Sequence, residues 1–261
     1  MKVRPAAVAG SFYPADPRRL EAEVRGYLAA AGAPAGAPPK ALVAPHAGYV
    51  YSGPVAGSAF RQLVPWRAAI DRVVLLGPSH FVPFAGLALP SAAAFATPLG
   101  DVPVAADAAR LLAGLPQVVV ADAPHGREHS LEVELPVLQV VLERFELVPL
   151  AVGDASPAEV AAVLERLWGG AETLIVVSTD LSHYRDYATA AALDRATGDA
   201  VVALDVDGIA VGAACGRSPL RGLLFAARQH GLVVSELDLR SSGDTAGGRD
   251  QVVGYGAFAL V

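Results

Sequence analysis

The chain has 261 residues, of which 53% are apolar and 18% charged, with a formal net charge of −6. That composition excludes a disordered chain, which is charge-rich and poor in apolar residues, and it supplies no bulk attraction toward nucleic acid. A single cysteine, Cys215, excludes a disulfide scaffold and a cysteine-rich zinc site.

Read in chain order, strand-length apolar runs alternate with helical patterns. The first helix is expected over 17–31, entered through Asp16-Pro17, a good N-cap and N1 pair. A strand over 41–45 and a helix over 53–63 follow, then strands over 72–77 and 86–90. A helix over 105–115 and a strand over 117–122 come next. The helix predicted over 130–144 contains Pro136, which should kink it or move its start. A strand over 145–152 leads to a helix over 157–168, opened by Ser156-Pro157 and stopped by Gly169-Gly170. The last elements are a strand over 174–178, helices over 187–205 and 219–230, and strands over 232–239 and 252–260. Runs such as VVLL, VVV and LIVVS show no polar alternation, as in strands covered on both faces. The alternation implies an α/β fold: one domain over 1–261, with a central, largely parallel or mixed sheet covered by helices. The linker-like segment 32–39 (GAPAGAPP) is too short and too near the N-terminus to divide two domains.

Residues 73–100 carry no Asp, Glu, Lys or Arg and are long enough to span a bilayer. Pro78, Pro83, Pro90 and Pro98 interrupt the stretch, and a helix so interrupted would leave backbone groups unpaired in lipid. No membrane association is therefore expected. The N-terminus lacks a run suited to a secretion signal, so the expected location is the cytoplasm.

Ligands of open α/β sheets bind beyond the carboxyl ends of the strands. Five of the six histidines fall within a few residues of such an end. His46 lies in APHAGYVYSG, His80 in GPSHF, His125 and His129 in APHGREHSLEVE, and His183, with Asp180, in STDLSHY. Ser241, Ser242 and Asp244 follow a later strand in SSGDT. Histidine is both the commonest metal ligand and the usual acid or base near neutral pH. Two histidines with a carboxylate suit Fe, Mn or Zn and leave coordination positions open. A carboxylate beside an imidazole, as Asp180 beside His183, fixes its tautomer and basicity.

Each residue also has a structural reading. His46 could be packed by Tyr49 and Tyr51, and Asp180 or Asp244 could close a turn. His125 could face solvent, and His129 and Glu132 could open a helix capped by Ser130. Cys215, in AACGRSP before a helix and away from every histidine motif, reads as a small buried residue. His230 suits a helix C-terminus. Dinucleotide and P-loop glycine signatures, H-E-x-x-H and G-x-S-x-G are all absent from the sequence.

In this order VAGSFYPAD, APHAGYVYSG, LLGPSH, EHSLEVELP, STDLSHY and SSGDT…VVGYGA resemble the Memo family, from about Val3 to the C-terminus. Bacterial members are known as AmmeMemoRadiSam system protein B. The resemblance implies a fold like that of the LigB-type class III extradiol dioxygenases, non-haem Fe(II) enzymes. It implies His46 and His80 as metal ligands, with Asp244 where a third ligand is expected. It also implies His183 as the acid–base residue with Asp180 beside it, and His129 lining the pocket. The implied cofactor is a divalent metal, Fe(II) first, with Cu or Zn as alternatives. The implied ligand is a small molecule or peptide, and AMMECR1-like and radical-SAM proteins are implied partners.

Three functions follow as expectations. The first is a metal-dependent oxidoreductase of the dioxygenase type. The second is a binding protein that recognises a peptide or phosphorylated ligand with Tyr13, Tyr49, Tyr51 and Arg127. The third is a hydrolase in which the metal activates water.

Overall fold

Apolar strands covered on both faces need a helical layer on each side, and that requirement sets the architecture. The computed structural model describes residues 2–34 and 36–261; Ala35, in the segment read as a linker, lies outside them. The strands are β1 (Val3–Arg4), β2 (Ala41–Ala44), β3 (Arg72–Pro78), β4 (Leu87–Leu89), β5 (Ala94–Thr97), β6 (Gly100–Pro103), β7 (Val118–Val120), β8 (Glu146–Val152), β9 (Thr173–Ser178), β10 (His183–Arg185), β11 (Val234–Ser241) and β12 (Val252–Leu260). The helices are α1 (Pro17–Ala30), α2 (Tyr49–Phe60), α3 (Ala108–Leu111), α4 (Ala123–Gly126), α5 (Leu135–Val141), α6 (Pro157–Leu167), α7 (Tyr187–Val202) and α8 (Arg217–His230).

The large sheet runs β10-β12-β2-β9-β3-β8-β4-β7, with β11 also paired to β12. Its centre, β2-β9-β3-β8, is parallel. Antiparallel pairs flank it at β12-β2 and β4-β8. Alternate residues of the central strands enter opposite cores. Val43, Val74, Leu76, Ile175 and Val177 pack with Val160, Leu164, Leu220 and Leu224 of α6 and α8. Leu42, Val73, Leu75, Leu174 and Val176 pack with Leu20, Val24, Phe60 and Leu138 of α1, α2 and α5. The chain is thus a mixed α/β fold with a large mixed sheet between helical layers, as the sequence implied.

Local chemistry sets the ends of the helices. Asp16 caps α1 through the Arg19 N–H, and Ser156 with Glu159 forms a capping box on α6. The 130–144 prediction resolves into a 3₁₀ turn, Glu132–Glu134, followed by α5 with Pro136 in its first turn, where proline is tolerated. Helix α2 begins four residues before the predicted 53 and carries Pro54 inside it. The 73–100 stretch forms β3, β4 and β5 with their loops. Among the described residues no helix is long and apolar enough to cross a membrane. The sequence pattern gave no sign of the small sheet β1-β5-β6 or of β10, which are too short or too polar to carry one.

The N-terminal segment is bound into the fold by one carboxylate. Glu132 is fully buried and pairs with the buried Arg4 guanidinium. It also accepts from the Ala7 N–H (2.8 Å), the Val8 N–H (3.0 Å) and the Tyr13 hydroxyl (2.5 Å). Arg4 further donates to the carbonyls of His125 (2.9 Å) and Glu128. Removing one partner of such a pair leaves the other charge stranded in the interior. We expect Arg4→Leu to lower the free energy of unfolding by about 3–5 kcal/mol, measured by urea denaturation.

His125 is a correction to the sequence reading, which allowed a solvent-facing loop residue. It is 2% exposed, with Nε2 2.9 Å from the Ala88 carbonyl and its ring edge-on to Phe95. Burial drives its pKa from 6.5 down to about 4. Between those values the unfolded chain takes up a proton that the folded chain refuses, so stability falls as the pH drops through that window. His125→Gln should flatten the pH dependence of unfolding there by up to about 3 kcal/mol.

Candidate metal centre

Three neighbouring parallel strands end at the same edge. β9 lies between β2 and β3, with Ala44 opposite Ser178 and Leu76 opposite Val177. Each strand contributes a polar residue within two positions of its end: His46 after β2, Asp180 after β9 and His80 after β3. The imidazoles converge across β9. The rings of His46 and His80 are 5.3 Å apart, and His129 stacks on His80 at 4.6 Å and meets His46 at 5.5 Å.

The third donor comes from the turn before α8. Cys215 Sγ lies 3.3 Å from His46 Nε2, and His46, His80 and Cys215 each offer a ligand atom within 4.8 Å of the others. That turn is fastened to the end of β9: the Cys215 N–H donates to the Asp180 carbonyl (3.2 Å), and the Gly216 N–H to Thr179 Oγ1 (2.8 Å). A Cβ on residue 216 would sit 2.7 Å from Thr179 and 2.9 Å from the Ser178 carbonyl, so only glycine permits this approach. Gly77 in β3 plays the same part for Ser130, whose Oγ would be 2.7 Å from a Cβ there.

Each histidine is held by its far nitrogen. His46 Nδ1 is 2.8 Å from Ser178 Oγ, and His80 Nδ1 is 2.8 Å from Glu128 Oε1. Both Nε2 atoms are thereby left as ligand atoms, the arrangement that orients metal-bound imidazoles. Glu128 is 1% exposed and also accepts from the N–H groups of His80 (2.6 Å), His129 (3.0 Å) and Ser130 (2.9 Å). Burial pushes this carboxyl up, but hydrogen bonding and charge from His80 and the backbone N–H groups prevail, bringing it down to about 2.

Three of the imidazoles resist protonation. Burial, reinforced by the charges of His80, His129 and His183, holds His46 well below the usual histidine range. Burial also brings His129 down to about 4 and lowers His183. Burial and the Asp180 charge push the Cys215 thiol up to about 12, so a bound cation would have to displace its proton.

The structure brings together His46, His80, His129 and His183 of the residues singled out in the sequence. His183 is half-buried, with Nδ1 2.8 Å from the Leu181 carbonyl, beside a register shift between β10 and β12. There Tyr184 adopts φ 55°, and the residue is 71% exposed. Asp180 is in place but contacts a different histidine from the one expected. Its carboxylate accepts the His46 backbone N–H (2.9 Å), and no hydrogen bond joins it to the His183 ring among the described residues. Burial raises this carboxyl to about 7.

Asp244, expected as the third ligand, is not in the cluster. Its oxygens accept from the Tyr187 hydroxyl (2.6 Å) and from the N–H and Oγ of Ser241 (2.9 and 3.0 Å), closing the turn Ser242–Asp244. The default reading of an aspartate in a Ser/Gly-rich loop describes it correctly. Cys215, read from the sequence as a small buried residue, is the side chain whose potential ligand atom lies with those of His46 and His80. The available signal was the Cys-Gly pair at a predicted helix start, because α8 must return across the strand ends to cover the sheet.

Comparison with known proteins bears on the whole chain. The family described as Memo-like protein matches residues 4–259. Archaeal proteins named MEMO1 family protein are similar throughout. The one from Nitrosopumilus maritimus is 31% identical, with 99% of this chain and 100% of that protein covered. The one from Aeropyrum pernix is 34% identical, with both chains covered completely. Among solved structures, the uncharacterized protein JW3007 from Escherichia coli K12 shares the fold, with a TM-score of 0.53 at 15% identity over 82% of this chain and 98% of that one. With the family match spanning nearly every residue and relatives above 30% identity along their full length, the chain belongs to the Memo family.

Proposed function

We propose that the chain is a metal-dependent oxidoreductase whose divalent metal, Fe(II) in the first instance, is held by His46, His80 and Cys215. One observation carries this reading: three potential ligand atoms from distant parts of the chain converge within 4.8 Å, and both histidines are braced through Nδ1. The donor set fits a first-row ion, since two imidazole nitrogens and a thiol that ionises on binding leave further coordination positions open. A redox metal bound there would supply electron transfer and the activation of a small electron acceptor such as dioxygen.

The surrounding residues have separable tasks. Glu128 orients His80, and Asp180 fixes the backbone that carries His46. His129 and His183 stand beside the cluster, rest neutral, and are suited to accept a proton from a bound substrate and return it. The exposed Phe81 ring lies 6.0 Å from His129, and the exposed Tyr184 ring 5.8 Å from His183, so a substrate with a flat apolar face can pack at the opening. The thiol favours a second assignment, zinc with metal-activated water, because thiolate is a common zinc ligand. An oxidoreductase needs an electron acceptor, and a hydrolase works equally well without oxygen.

Protein purified without a chelating tag and loaded anaerobically with ferrous iron should retain about one metal per chain by inductively coupled plasma mass spectrometry. His46→Ala, His80→Ala and Cys215→Ala should each lose most of it, while Asp244→Ala retains it. Equal metal in all five proteins would remove the centre. Glu128→Gln should bind metal about 10–100-fold more weakly, read by competition with a chromogenic chelator.

A further inference from the structure

Ser178 Oγ has three polar neighbours at hydrogen-bond distance: the Ser130 carbonyl at 2.6 Å, Glu134 Oε1 at 2.7 Å and His46 Nδ1 at 2.8 Å. A hydroxyl has one proton to donate and two lone pairs to accept with. The Ser130 carbonyl can only accept, so the proton of Ser178 goes there. The other two neighbours must then both donate. For His46 this means a proton on Nδ1, and for Glu134 a proton on Oε1. An ionised Glu134 would compete with the carbonyl for the one proton, leaving two bare oxygens facing each other at 2.6 or 2.7 Å.

We propose that Glu134 is a neutral carboxylic acid that donates to Ser178, and that the pair holds His46 with its proton on Nδ1 and its Nε2 lone pair toward Cys215. Glu134 is a positioning residue: it touches neither the ligand atoms nor a substrate.

Independent features agree. Glu134 is 1% exposed, and its Oε2 is buried without a hydrogen-bond partner. An unpartnered oxygen is far less costly on a neutral acid than on a carboxylate. Among the described residues no Lys, Arg or His forms an ion pair with it, whereas Glu132, two residues earlier, has Arg4. The ionisable groups that interact with it are Asp180 and Tyr49, and neither supplies a positive charge. Burial, with the Asp180 charge adding to it, raises the Glu134 pKa to about 8 against the Ser178 hydrogen bond.

The two histidines are therefore braced differently. His80 leans on an ionised carboxylate, and His46 on a hydroxyl backed by a neutral acid. The bearing of this difference on a metal rests on the reading given under Proposed function; the protonation itself does not.

The test uses the full chain, first free of metal, labelled with ¹³C at glutamate Cδ and ¹⁵N at histidine. At about pH 6 one glutamate carboxyl should remain protonated, titrate only at higher pH, and be missing from Glu134→Gln. If every glutamate carboxyl is ionised at that pH, the proposal is overturned, and the wild-type titration decides this even if the variant fails to fold. Long-range ¹H–¹⁵N correlation should show His46 protonated on Nδ1 in wild type and Glu134→Gln, since glutamine also offers a neutral N–H donor. Protonation of His46 on Nε2 in wild type would overturn it. With zinc as the probe, Glu134→Gln should bind within about twofold of wild type, while Glu128→Gln loses about 10–100-fold. Equal losses in the two variants would mean that Glu134 carries a charge. A wild-type chain that binds no zinc would sink the metal reading, and the two metal-free measurements would still judge this one.

Discussion

Polar atoms buried at the carboxyl end of β9 must all find partners, and this constraint organises the site. Ser178 is the last residue of that strand and is fully buried. Its hydroxyl joins the segment 130–134 to the loop after β2, and the next two residues join the same edge to the turn before α8. Four stretches of chain, distant in sequence, meet there because unpaired polar groups in an interior cost more than the ordering needed to pair them. The converging imidazoles follow from that arrangement. Their rings project from loops whose backbones are already fixed by Asp180 and Glu128.

Much of this is legible in the sequence. Continuous apolar runs identify the central strands, and the rule that ligands sit beyond strand ends picks out five of the six histidines, of which His46, His80, His129 and His183 meet while His125 packs against Ala88 and Phe95. Side-chain assignments are less legible because they depend on orientation. Asp180 sits three residues from His183 in sequence yet bonds to His46, since strand pairing brings the end of β9 against the end of β2. Asp244 has the right chemistry and a plausible place after a strand, but one of its oxygens accepts from the Tyr187 hydroxyl and the other from Ser241. Cys215 was hidden by 169 residues of separation from His46. Helix packing closes that gap.

Four carboxyls, Glu128, Glu132, Glu134 and Asp180, are buried, and their surroundings separate them. Glu132 has a guanidinium and Glu128 a histidine with three backbone N–H groups. Glu134 has one hydroxyl and an unpartnered oxygen. Partner count, more than depth, decides which acid keeps its charge. A short motif can thus hold identical side chains in opposite ionisation states.

The clasp formed by Glu132 also has a consequence for biosynthesis. Arg4 leaves the ribosome early, but the carboxylate that receives it lies 128 positions downstream. Until that point is translated, the opening residues can pair with β5 but Arg4 lacks its carboxylate, and Phe12, whose ring rests 4.7 Å from His129 in the finished protein, lacks that histidine to pack on. Closing so long a loop is entropically costly. The wall of the pocket nearest the first residues therefore cannot be completed on a growing chain until about half of it has been made.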